Sequence, residues 1–286
     1  DHGNAFGPDG RFLHEPIKEE VHTDEAAAET LGTESYAHFL GHTIILLSLL
    51  EYGLQVGDRE ILDFVLRGYR YGRANGDVLV GYFPEVLGRP DLEDCETCCT
   101  ADMVSLALKL SAAGLGDYWD DADRWTRNQL VENQMTRADW AEQMWEMGPV
   151  HLRDFDIKPS QLDPGSQSAD RVLERNVGGF ASHATANDFS TGKTAITACC
   201  TGNGARTLYQ AWEHILDYAD GKLKVNLLLN RASPWADVDS YIPYEGRVDV
   251  RARRDCELSV RIPEWVKPEQ VVCRVDDVEC PVGWQG

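Results

Sequence analysis

Along this chain the hydrophobic period changes once, and that change divides it. From about Ser35 to Tyr218 apolar residues recur every three or four positions, and from Lys222 onward they alternate with polar ones. Helices first and strands afterwards predict two segregated parts, 1–220 and 221–286, with a boundary near Gly221. The first part is expected to hold helices over Ser35–Gly53, then after the Gly57-Asp58 turn through Ile61, Phe64, Val65 and Tyr69. Others follow from an N-cap at Thr100 to Gly114, over Trp119–Gln134, and over Gly202–Tyr218. Strands are expected at Lys222–Asn230, Arg247–Ala252, Cys256–Ile262 and Val271–Val275, paired antiparallel. Two stretches break the helical pattern: a Gly- and Pro-rich loop from Asn75 to Asp94, and a long loop region from Asp154 to Thr197.

The formal charge of −21 is spread along all 286 residues, and such a surface repels phosphate backbones, so nucleic acid is not an expected partner. The longest apolar run, Thr43 to Leu50, is too short to span a bilayer, so no membrane partner is expected either. The chain begins at Asp1, with no basic-then-apolar leader. The true N-terminus, with any targeting signal, is therefore expected to lie outside it. The compartment is left open, with a cytoplasmic location slightly favoured, and the oligomeric state is left open as well.

Five of the eight cysteines fall in two tight groups, Cys95, Cys98 and Cys99, then Cys199 and Cys200. Adjacent cysteines strain a disulfide between themselves. Both groups lie immediately before an expected helix start, where exposed N–H groups favour a thiolate over a thiol. In an extended segment Glu96 and Cys98 would point the same way, and the Cys199-Cys200 pair would complete four ligands, the number zinc prefers. Buried apolar thiols, or disulfides between the two groups, remain alternatives at this point.

The strings Cys95-Glu96-Thr97-Cys98 and Cys199-Cys200-Thr201-Gly202-Asn203-Gly204-Ala205-Arg206 resemble the Glu-x-Cys and Cys-Cys-x-x-Asn-x-x-Arg motifs of glycoside hydrolase family 127, the β-L-arabinofuranosidase group. Leu223-Lys224-Val225-Asn226-Leu227 and Arg261-Ile262-Pro263-Glu264-Trp265 look like two of its C-terminal strands. The resemblance implies a mainly α fold, the later half of an (α/α)6 barrel followed by a β-sandwich segment. It implies Zn2+ held by Glu96, Cys98, Cys199 and Cys200, with Cys199 as the nucleophile of a retaining hydrolase acting on a glycan. A glutamate in the loop before the first motif serves the family as acid and base. Here Glu85 is the nearest suitable residue, with Asp91, Glu93 and Asp94 as competitors, and the loop is shorter than the family's. His42, with His38 one turn earlier, matches a pocket histidine of the family. Asn203 and Arg206 match its motif as substrate contacts, and His183 is a further pocket candidate. Two other readings stand beside this one. The first is a non-catalytic carbohydrate-binding protein whose thiolate site is structural. The second is a barrel lyase or epimerase working through Tyr and His.

Overall fold

The computed structural model describes residues 5–13, 37–87, 95–140, 170–184 and 196–285. Asp91, Glu93 and Asp94 lie outside the described residues, as does most of the expected loop region from Asp154. The chain divides into two compact units at His214/Ile215, a few residues before the expected boundary at Gly221.

The first unit is built on helices. A two-residue strand β1 (Ala37–His38) leads into α1 (Phe39–Val56), which Gly57 ends in the left-handed conformation at φ 71°. Asp58 then caps α2 (Arg59–Ala74), its carboxylate accepting from the N–H groups of Glu60 and Ile61. Strand β2 (Val86–Leu87) pairs antiparallel with β1, and β3 (Cys95–Glu96) runs directly into α3 (Thr97–Ala112). A short helix α4 (Trp119–Trp125) continues through a π-helical turn at Thr126–Leu130. A one-turn helix α5 (Val172–Arg175), strand β4 (His183–Ala184) and helix α6 (Ala198–Glu213) complete the unit.

Helix α3 is the centre of this unit, packed by α1, α2, α4 and α6. Met103, Val104, Leu106, Ala107, Leu108 and Leu110 are all fully buried. Each large apolar side chain so buried contributes about 1.5–3 kcal/mol. Helix α1 is long and apolar enough to cross a membrane by length and composition. It extends well beyond the Thr43–Leu50 apolar run at both ends. Its Phe39, Leu46 and Leu50 are nevertheless fully buried within this unit.

Both cysteine-bearing helices begin one turn earlier than the sequence pattern suggests. Glu96, not Thr100, is the cap residue of α3, and Thr197 caps α6, expected to begin at Gly202. Cys98, Cys99, Cys199 and Cys200 therefore lie within first helical turns and not ahead of them. Glu96 and Cys98 converge across a strand-to-helix junction, so strand alternation is not what brings them together. Helix α6 also stops at Glu213 rather than Tyr218, because Leu216–Ala219 pairs as a strand instead.

The second unit is built on strands, with one 3-10 turn at Pro268–Gln270. β5 (Leu216–Ala219), β6 (Lys222–Val225) and β10 (Glu257–Val260) form one sheet in the order β10-β6-β5. β7 (Arg231–Ala232), β8 (Ala236–Ser240) and β9 (Val248–Ala252) form a second, and β11 (Cys273–Val275) with β12 (Val278–Cys280) a hairpin. One pairing departs from the antiparallel expectation. β10 lies parallel to β6, with Leu258 opposite Leu223 and Val260 opposite Val225. Alternation within a strand specifies its buried face but not the direction of its neighbour.

Candidate metal-thiolate site

Short paired segments hold this site's parts in place. The extended segment around Glu85 is clamped on two sides. Phe39 N donates to the Glu85 carbonyl at 2.8 Å, and Pro84 bridges to Cys95. Gly81, at φ 83°, starts this segment where a Cβ would lie 2.6 Å from Trp125, so only glycine fits without displacement. On the other side β3 pairs with β4, setting Glu96 opposite His183. The Thr97 hydroxyl donates to the Ala181 carbonyl at 2.6 Å and accepts from Asn133 at 2.8 Å, which locks the start of α3.

One donor atom each from Glu96, Cys98, Cys199 and Cys200 lies within 4.8 Å of every other. The sulfurs of Cys98 and Cys200 are 3.3 Å apart, those of Cys199 and Cys200 are 3.8 Å apart, and Glu96 Oε1 is 3.9 Å from Cys200 Sγ. Sulfurs sharing a tetrahedral zinc at about 2.3 Å sit about 3.8 Å from each other. Three sulfurs and one carboxylate oxygen therefore fit zinc in number, type and spacing. Helix starts suit this role, because the first N–H groups and the helix dipole favour negative charge there. The Cys98 thiol donates to Cys200, and this hydrogen bond, against the opposing effect of burial, draws the Cys200 thiol down to about 7. The same bond pushes Cys98 up, and an Asn203 side-chain hydrogen bond opposes that shift.

The two neighbouring thiols stay out of the group. Cys95 lies 3.3 Å from the Thr100 hydroxyl, and burial raises it to about 11. Cys99 donates to Glu96 Oε2 at 3.4 Å and is pushed well above the thiol range, again chiefly by burial. Neither seals the site. Cys199 is exposed, whereas Cys98 and Cys200 are buried.

Around the thiols lies a chain of polar side chains. His183 Nε2 donates to Glu85 Oε2 at 2.7 Å, and the Ser182 hydroxyl is 3.1 Å from its other ring nitrogen. His38 Nε2 donates to Glu96 Oε2 at 3.2 Å and stands 3.9 Å from Glu85 Oε1. The Glu96 hydrogen bond is the main reason the imidazole of His38 is raised above its ordinary value. Three of the candidate residues, Glu85, His38 and His183, are thus brought together beside Glu96.

His42 and Arg206 are held by other contacts. The His42 ring stacks on Phe12 at 4.6 Å, its Nδ1 donating to the His38 carbonyl at 2.9 Å, and it meets Phe6 edge-on. Arg206 donates to Asp102 Oδ1 at 2.7 Å, while the Thr43 hydroxyl donates to Oδ2 at 3.0 Å, so one buried carboxylate ties α1, α3 and α6 together. Asp102 is not among the residues that the motifs pick out. Its signal in the sequence is an acidic residue inside the apolar run Ala101 to Leu110.

Burial raises Asp102 from 3.8 to about 6, with Arg206 opposing the shift. A carboxyl raised on folding binds its proton more tightly in the folded chain than in the unfolded one. Its contribution to stability is therefore lost as pH rises from about 4 to about 6, by up to about 3 kcal/mol. Asp102→Asn should remove this component. Urea unfolding across that window should show a shallower fall in stability for the variant, and parallel pH profiles would count against the burial argument.

No protein-family model matches the sequence, and no curated protein does. Among solved structures the chain is similar to a GH127 β-arabinofuranosidase, at 15% identity and a TM-score of 0.53, over 81% of this chain and 34% of that one. It is also similar to a GH127 β-L-arabinofuranosidase from Geobacillus stearothermophilus T6, at 15% identity and a TM-score of 0.47, over 81% and 36% of the two chains. The chain thus spans about a third of the length of these enzymes. By the first comparison it is GH127-like in fold, and it is distant in sequence from both.

Proposed function

We propose that this chain is part of a retaining glycoside hydrolase of the β-L-arabinofuranosidase kind, with an (α/α)6 barrel followed by a β-sandwich. Cys199 would serve as nucleophile and Glu85 as acid and base. The observation that carries this reading is the convergence of Glu96, Cys98, Cys199 and Cys200 with the nucleophile candidate left exposed. A zinc ion held by these four residues would keep the cysteine sulfurs ionised at neutral pH.

The residues then divide the work. Cys199 Sγ attacks the anomeric carbon of the glycoside as the bond to the leaving oxygen breaks, and Glu85 delivers a proton to that oxygen. The product of this step is a thioglycosyl enzyme. Glu85, now a carboxylate, takes a proton from water, whose oxygen displaces the sulfur from the same carbon. Two inversions give net retention, as with a carboxylate nucleophile. His183, bonded to Glu85, would hold the carboxyl group in place. His38, His42, Asn203 and Arg206 remain candidate sugar contacts. The ion pair of Arg206 and the aromatic packing of His42 leave His38 and Asn203 the better placed of the four.

The alternative of a binding protein with a structural metal requires a closed coordination shell. The turn of Cys95 toward Thr100 and of Cys99 toward Glu96, with Cys199 exposed, favours the enzyme.

The deciding experiment measures zinc and hydrolysis together. The purified chain should carry one zinc per molecule, and Cys98→Ser should lose it on dialysis against a chelator that the parent resists. The parent should release nitrophenol from 4-nitrophenyl β-L-arabinofuranoside. A parent chain that takes up no zinc would sink the thiolate reading, and a zinc-loaded chain inert toward furanosides and pyranosides alike would favour the binding protein.

A further inference from the structure

The two oxygens of Glu96 face different donor sets. Oε1 lies toward Cys200, within the thiolate group. Oε2 lies 3.2 Å from His38 Nε2, which in turn is 3.9 Å from Glu85 Oε1. One donor atom each from His38, Glu85 and Glu96 lies within 4.8 Å of the other two. Ligands at about 2.1 Å from a common cation are separated by about 3.0–3.5 Å, so small rotations of the Glu85 carboxyl suffice to close the set. The scaffold for it is already paired. His38 lies opposite Val86, Phe39 N holds the Glu85 carbonyl, and Pro84 bridges to Cys95 beside Glu96. The side chains of His38 and Glu85 are 44% and 34% exposed, which leaves room for water to complete a coordination shell.

We propose that His38, Glu85 and Glu96 form a second, dissociable divalent-cation site, joined to the thiolate site through Glu96. Two carboxylates within a few ångströms repel each other, and a divalent cation between them removes that repulsion. One imidazole nitrogen, two carboxylate oxygens and water suit Mn2+ or Zn2+. The three sulfurs on the other side select a softer ion. If Glu85 is the acid of the reaction proposed above, a cation here withdraws it from proton transfer, so occupancy inhibits. The cation site itself does not depend on that role.

The test uses Mn2+ as probe on the chain preloaded with one equivalent of zinc. Bound Mn2+ is read from the loss of the free-ion paramagnetic resonance signal. The parent should bind one equivalent. His38→Ala and Glu85→Gln should each weaken that binding by about tenfold or more, the scale on which metal affinity falls even when only a ligand's hydrogen-bond partner is lost, while far-ultraviolet circular dichroism stays at the parent's value and Glu85→Gln keeps the parent's zinc content. In an active preparation, Mn2+ should slow an alkyl glycoside more than a nitrophenyl glycoside, whose leaving group needs little protonation. Absence of Mn2+ binding at millimolar concentration overturns the proposal, as does equal binding by the parent and both variants, which would mean adventitious surface uptake. Zinc retained by Glu85→Gln, which lacks a donor of the second site only, reports on the thiolate site, so the two readings fail separately.

Discussion

Replacing Cys199 by serine should lower glycoside hydrolysis by about 10⁴-fold or more, the scale seen when a covalent nucleophile is removed. Cys199 is the exposed member of the thiol group, in the first turn of α6, with its sulfur 3.8 Å from that of Cys200. A serine hydroxyl is not ionised at neutral pH and is a poorer soft-metal ligand, so both proposed contributions of the sulfur are lost. Cys98, Cys200 and Glu96 remain, and the variant is expected to hold zinc more weakly without losing it altogether. Zinc content therefore has to be measured beside turnover. A loss of turnover at retained zinc assigns the effect to the nucleophile. Under denaturing mass spectrometry, the parent quenched during turnover should carry one added sugar on Cys199, and the variant none. A Cys199→Ser chain that hydrolyses furanosides at the parent's rate would end the covalent mechanism.

The second large effect belongs to Glu85. Glu85→Gln keeps the shape of the side chain but can neither give nor take a proton. Hydrolysis of an alkyl or sugar aglycone should fall by about 10²–10⁴-fold, the usual contribution of a positioned acid. The first step on a nitrophenyl glycoside should fall far less, because that leaving group departs without protonation. The deprotonation of water in the second step still needs the carboxylate, so the thioglycosyl enzyme should accumulate on the activated substrate, and added azide should speed its turnover. The contact that makes Glu85 the leading candidate is its 2.7 Å hydrogen bond from His183, beside a second histidine that reaches Glu96. Equal rates for Glu85→Gln and the parent on an unactivated glycoside would pass the role to Asp91, Glu93 or Asp94.

The four donors of the thiolate group are picked out by the resemblance of two short strings to family motifs, whereas residue type and spacing alone leave buried thiols and disulfides open. The order of helices before strands is legible directly, since hydrophobic period is a local property of the chain. Local pattern is a poorer guide to where a helix begins. Thr100 looks like a cap for α3, yet the helix starts three residues before it. Glu96 is held in a strand by β4, and Thr97 is pinned by Ala181 and Asn133. The same shift carries Cys98 and Cys99 into the first helical turn. The helical spacing likewise predicts a helix through to Tyr218, where Leu216–Ala219 forms a strand instead. Ile215 and Leu216 continue the helical spacing of α6, but hydrogen bonding to Lys222–Val225 outweighs that local preference.

What the sequence determined by itself is the inventory and its order: soft and hard metal donors in two short strings, helices around them, and strands after them. Only the tertiary structure decided which donors meet. His38 reaches Glu96 across 58 positions, His183 reaches Glu85 across 98, and Arg206 reaches Asp102 across 104. No periodicity encodes such separations, because they follow from how β1, β2, β3 and β4 pair and how α3 and α6 pack. The two faces of Glu96 have the same origin. A single carboxylate is turned toward thiolates on one side and toward an imidazole on the other by segments that approach it from opposite ends of the first unit's sequence.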